Sequence, residues 1–161
     1  MSRKSRFLTY GAILVIAILW YLFRPELLFV DKSVDEKFPE LTDTLLTEPT
    51  LLVEGQFRGV AHETNGVAQI FAFGDGRRLL RLRDFSTSNG PDVHVYLVAL
   101  TDAPDDASVK NAKVIDLGTM KGNIGDQNYD IPADIDINIY RTCTIWCKRF
   151  GVNFGSAALS L

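Results

Sequence analysis

From Leu51 to Leu161, short apolar runs return between turn signals, and hardly any helical period interrupts them. LLVEGQFRGVAH gives way to ETNG, VAQIFAF to GDG, and RRLLRLRDF to STSNGP, before DVHVYLVAL begins. Short strands that are apolar on one side bury that side only by stacking sheets or by curling into a barrel. Asn65-Gly66 and Gly74-Asp75-Gly76 carry hairpin chemistry, because such turns need a positive φ that Gly and Asn tolerate. Within VAQIFAF, large Val67, Phe71 and Phe73 alternate with small Ala68 and Ala72. Ile135, Ile137 and Ile139 alternate with Asp134, Asp136 and Asn138, a period of two that predicts another strand with its acids on the wet face. The stretch from Asp102 to Asn111, with Pro104 and paired acids, predicts a solvated loop, and TCTIWC with KRFGVNFGSAALSL predicts one or two closing strands. The expected fold is all-β, an antiparallel β-sandwich or partly closed barrel over residues 51–161.

The N-terminus has a different character. Phe7 to Phe23, FLTYGAILVIAILWYLF, carries no charge and is closed by Arg6 and Arg24. At about 1.5 Å per residue, this run spans about 25 Å as a helix, close to the ~30 Å hydrocarbon core of a bilayer. Tyr10, Trp20 and Tyr21 sit near its ends, where aromatic rings prefer the membrane interface. WYLFRPE follows with no small-residue cleavage pattern, which favours an uncleaved anchor over a signal peptide. The expectation is one N-terminal transmembrane helix in residues 1–24 with membrane lipid as its partner, then a stalk over 25–50. In that stalk VDEKFPELTDTLL predicts at most a short amphipathic helix. Bases on the N-terminal side predict a single-pass protein of the cell membrane, N-terminus inside, with a periplasmic or extracellular C-terminal domain.

The formal charge is −3, and Arg3, Lys4, Arg6 and Arg24 lie in an acid-free first stretch, so the remainder carries −3 − 4 = −7. An acidic body argues against a nucleic-acid partner, which would need clustered Lys and Arg. GDGRR is too short for a phosphate-cradling loop, and no G-x-S-x-G or EF-hand pattern gives a hydrolase or calcium reading. His62 and His94 stand apart and lack the spacings of a metal site, so no metal is predicted. His94 alternates with Val93 and Val95 and shares the opposite face with Asp92 and Tyr96.

Both cysteines of the chain fall in TCTIWC. On a strand, Cys143, Ile145 and Cys147 share one face, and Thr144, Trp146 and Lys148 share the other. Four strand steps separate the thiols by about 13 Å, beyond the ~7 Å Cα limit of a disulfide. Exported domains usually pair their cysteines, so two thiols that cannot pair hint at redox or ligand chemistry. Two inert core thiols, a reactive or ligating thiol, and a disulfide through a bend or between molecules all remain open.

Four blocks in this order resemble the DM-thirteen domain family: the opening Gly55-x-Phe57, LRLRDFSTSNGPDVHVYL, DLGTMKGNIGDQNYDIP, and IWCKRFGVNFGSAAL. The family is a small exported β module, often beside DOMON domains, with a proposed part in electron transfer. The resemblance implies that its characteristic cysteine corresponds to Cys147, between Trp146 and Phe150. That cysteine would act as a redox thiol or bind a cofactor, for which haem is one candidate, and would serve a redox partner protein. Cys143 matches no family position and is the candidate second, resolving thiol. The rival expectation is a non-catalytic binding or scaffolding β domain with Cys147 packed in its core.

Overall fold

The computed structural model describes residues 3–23, 30–39 and 48–161. Among the described residues, helix α1 (Arg3–Phe23) precedes nine strands: β1 (Thr50–Gln56), β2 (Arg58–Gly59), β3 (Asn65–Ala72), β4 (Arg78–Ser86), β5 (Val93–Val98), β6 (Val114–Thr119), β7 (Gln127–Ile131), β8 (Thr142–Cys147) and β9 (Val152–Ala158). A short helix, α2 (Asp106–Lys110), lies between β5 and β6. The strands form two antiparallel sheets, ordered β1-β3-β4-β7 and β2-β9-β8-β5-β6. The sheets do not close into a barrel, so the architecture is the sandwich of the two expected alternatives.

Alternation builds the core. Ile70, Leu80, Leu82, Val95, Leu97 and Ile145 are fully buried between the sheets, and Phe85 packs edge-on to Phe57 with centroids 5.4 Å apart. Phe57 is where the chain leaves the first sheet for the second, since Gln56 still pairs with Val67 while Arg58 already pairs with Ser156. The Gly74-Asp75-Gly76 turn closes the β3–β4 hairpin, with Gly76 at φ +87°.

Four expectations are corrected. Asn65-Gly66 opens β3 instead of turning the chain: Gly66, at φ +108°, sits in a bulge where a Cβ would fall 2.7 Å from the Arg83 carbonyl oxygen. ADIDINIY is not a strand. The Asp136 carboxylate accepts from the Asn138 N–H at 2.9 Å and the Asp136 carbonyl accepts from the Ile139 N–H at 3.0 Å, a local turn that outcompetes sheet pairing. The loop after Asp102 is not merely solvated, because it carries α2, capped by the Asp105 side chain, and buries Ala103 and Val109 against Tyr96, Val98 and Trp146.

The fourth concerns the N-terminus. Among the described residues no helix is long and apolar enough to cross a membrane, so the expected transmembrane span is not supported. The uncharged stretch of α1 is short for the hydrocarbon core, and Thr9, Tyr10 and Gly11 dilute its apolar character. Ile13, Leu14, Ile16 and Trp20 of α1 are nevertheless exposed. Arg24, expected to close the apolar run, lies outside the described residues. So does the second half of VDEKFPELTDTLL, whose residues 34–39 are not helical.

Residues 30–36 lie along the domain. Ser33 bridges in parallel to Ile124, and the Val34 and Glu36 N–H groups donate to the Ile124 and Asp126 carbonyls, both at 2.9 Å. This close approach explains two glycines of the GNIG turn: a Cβ at Gly122 would lie 2.3 Å from the Lys32 carbonyl oxygen, and one at Gly125 2.0 Å from that of Val34.

Candidate functional site

β8 is the middle strand of the five-stranded sheet and is buried on both faces. Cys143, Ile145 and Cys147 point into the inter-sheet core, while Trp146 belongs to the cluster under α2 on the outer face. Both cysteines are free and fully buried. Burial pushes the Cys143 thiol well above its ordinary pKa, which keeps it protonated and a poor nucleophile.

Cys147 differs from Cys143 in position. It is the last residue of β8, paired with Val93 of β5 and Val152 of β9, and its carbonyl accepts from the Gly151 N–H at 2.8 Å across the turn Lys148–Gly151. Cys143 is paired deeper, with Leu97 and Ala157. The end of α1 meets that same turn. Arg149 Nη1 donates to the Tyr21 and Leu22 carbonyls at 3.2 and 2.8 Å, and Phe23 stacks on Phe150 with centroids 5.8 Å apart. A guanidinium at a helix C-terminus satisfies carbonyls that have no partner within the helix.

On the outer face, across the sheet from the thiols, lies a charged row. His94 Nδ1 is 2.9 Å from Asp116 and Nε2 is 3.2 Å from Asp92, while Lys148 Nζ donates to Asp116 at 3.1 Å. Burial opposes ionisation of Asp116. Hydrogen bonds from His94, the Gly118 N–H and Lys148 outweigh it and hold the carboxyl below its ordinary value. The bond to Asp116 in turn holds Lys148 above the usual lysine value. Tyr96 stacks on Trp146 at 6.4 Å, and Lys148 through its neighbour Cys147 ties this row to the thiol strand. The shared face of Asp92, His94 and Tyr96 is legible in sequence. Asp116 and Lys148 are not, because joining them needs the β5–β6 register, which slips between His94 and Tyr96.

Among the described residues no group of three or more His, Cys, Asp and Glu side chains could hold a metal ion. A haem would need an open slot at its ligating sulfur. Cys147 has none: it is fully buried in the packed core, and His94 lies on the other face of the sheet. These residues do not fit haem.

Fold and thiol position together make this a two-sheet β-sandwich with an unpaired thiol at the end of its central strand. A family model described as electron transfer DM13 matches residues 56–159, about two-thirds of the chain. The chain therefore belongs to the electron-transfer DM13 family, which gives it a redox-related role. No curated protein and no solved structure matches it.

Proposed function

We propose that the protein is a redox module whose working group is the bare thiol of Cys147. The observation that carries this reading is an unpaired cysteine within the family match, at the end of β8 beside a four-residue turn whose opening would expose it. In the simplest step, the Cys147 sulfur attacks a disulfide of a redox partner protein. An S–S bond forms to one partner sulfur, the partner disulfide breaks, and the thiol proton ends on the displaced sulfur. Cys143, four strand steps away on the same face, is about 13 Å distant and cannot resolve the mixed disulfide, so resolution falls to the partner.

The test is reaction of the native full chain with an aromatic disulfide. The expected result is one aryl thiolate released per chain, retained in Cys143→Ser and lost in Cys147→Ser. Release only under denaturing conditions would sink the redox reading. It would favour the alternative of a binding or scaffolding β domain, which the complete burial of Cys147 supports.

We further propose a membrane location, with α1 attaching the chain to the lipid surface through its exposed apolar side chains. The exposed apolar side chains of α1 and the bases Arg3, Lys4 and Arg6 in its first turns support this reading. Co-sedimentation of the full chain with anionic phospholipid vesicles is expected, and recovery in the supernatant would refute it.

A further inference from the structure

A cleft that the thiol reading does not use lies at one end of the sandwich. Its volume is about 540 Å³, within the range of small-molecule sites. Asp31 of the docked segment, His62 and Glu63 of the β2–β3 loop, Ser86 and Ser88 from the end of β4, and Asn89 all contribute to its lining.

The walls are tied together. The Thr64 and Thr87 hydroxyls, both buried, are 2.9 Å apart, and Thr87 Oγ1 donates to the Glu63 carbonyl at 3.3 Å. Asn123 Nδ2 donates to Asp31 at 2.8 Å and to the Thr87 carbonyl at 3.1 Å, while Asn123 Oδ1 accepts from the Lys32 N–H at 2.7 Å. Asn89 Nδ2 donates to the Val30 carbonyl at 3.1 Å. His62 is held by its ring against Phe154, with centroids 3.9 Å apart. Burial lowers its pKa, so at neutral pH the imidazole is uncharged and offers one donor and one acceptor. A site fixed this way spends little ordering entropy on a ligand.

The lining selects the ligand chemistry. It contains two carboxylates and, among the described residues, no lysine or arginine, so a phosphate or carboxylate ligand would meet repulsion without compensation. Ile124 is its one aliphatic residue among ten, too little for an apolar ligand. Among the described residues, the His62 ring and the Ser86 and Ser88 hydroxyls have no hydrogen-bond partner, and the Glu63 carboxylate meets only Asn65, at a long 3.4 Å. A carboxylate that only accepts, beside hydroxyls and an imidazole that donate and accept, matches a neutral molecule whose hydroxyls do both. We propose that this cleft binds a neutral polyhydroxylated ligand, one or two sugar units in size.

The chain has two histidines, which supply the assay, because the ring resonance of His62 reports on the cleft and that of His94 on the fold elsewhere. The full chain, in a detergent without a sugar headgroup, is titrated with glucose, galactose, N-acetylglucosamine and their disaccharides, and with glucose 6-phosphate as the charged control. The expected result is a saturable shift of the His62 signal with at least one neutral sugar, His94 unmoved, and weaker binding of the phosphate. Glu63→Ala and Ser88→Ala should each weaken that binding about tenfold or more, with the His94 signal unchanged. The proposal is overturned if no neutral sugar shifts His62 saturably, if the phosphate binds as tightly as the neutral sugars, or if both variants bind as the parent does.

Discussion

Replacing Cys147 separately by Ala and by Ser asks whether its surroundings are dry. The side chain has no exposure and lies among Val93, Val95 and Ile145 on the inner face. Removing the sulfur forfeits the burial of one heavy atom, about 0.8 kcal/mol, and leaves a small void, for a total of about 1.5 kcal/mol in Cys147→Ala. Serine keeps the volume but buries a hydroxyl. The nearby backbone groups are already used, the Cys147 carbonyl by the Gly151 N–H and the Asp92 carbonyl by the Lys148 N–H, each within 2.9 Å. An unsatisfied hydroxyl adds about 1–3 kcal/mol, so Cys147→Ser should cost about 3 kcal/mol. For a unit of this size 1 kcal/mol corresponds to about 4 °C, which places the Ala variant about 6 °C and the Ser variant about 12 °C below the parent. The assay is urea and thermal unfolding of the full chain in mild detergent. It follows the fluorescence of Trp146, which is buried on the outer face of the same strand, in a Trp20→Phe background. If Cys147→Ser proves as stable as Cys147→Ala or more so, the thiol pocket is wet and the burial argument is refuted.

Other outcomes follow from the docked segment and the loop it covers. Gly125→Ala places a Cβ 2.0 Å from the Val34 carbonyl oxygen at a φ of +96°, so residues 30–36 should undock and be cut by protease several-fold faster; an unchanged rate counts against the contact. Gln127 is fully buried, and its Oε1 accepts from the Lys121 and Gly122 N–H groups and from Tyr129 Oη. The Lys121 N–H keeps Tyr129 Oη as a partner at 3.1 Å, but Gln127→Leu strips the Gly122 N–H and the Tyr129 hydroxyl of their acceptor and should cost about 3 kcal/mol in denaturant titration. Burial opposes ionisation of Glu36, yet its bonds from Lys121 and the Asn128 N–H hold the folded carboxyl below 4.5, and Asp116 is likewise held below 3.8. Their contribution is therefore present above those unfolded values and lost as pH falls through the lower folded ones. Both groups are about one-third exposed, which limits each to about 0.5 kcal/mol. Glu36→Gln should accordingly flatten the acid limb of a Tm-versus-pH curve, and an unaltered limb would remove Glu36 from the account.

What could be read from the sequence was whatever a single strand carries by itself. The common face of Cys143, Ile145 and Cys147 follows from a period of two, and the structure places all three in one cluster. The Gly74–Gly76 turn is equally local. Misreadings arose where a local pattern has two physical outcomes. Asn65-Gly66 suits a turn, but Gly66 also suits a bulge in which β4 backbone comes too near for any Cβ. The alternation around Asp136 suits a strand, but the aspartate closes its own turn. Long-range features left no local trace. Gly122 and Gly125 look like ordinary turn glycines until residues 32–34 are laid across them, and the cleft draws on four separated segments.

The docking of residues 30–36 also sets the length of a leash. Phe23 ends α1 and Val30 already touches the domain through Asn89, so only seven peptide steps join them. Fully extended, seven steps reach about 25 Å. A free segment running on to β1 at Thr50 would have let the sandwich range several times as far. With α1 at a membrane, the domain stays within about one domain diameter of the lipid surface. On the proposed reading, a redox partner would then have to present its reacting group at that height, and a soluble partner would work against a wall.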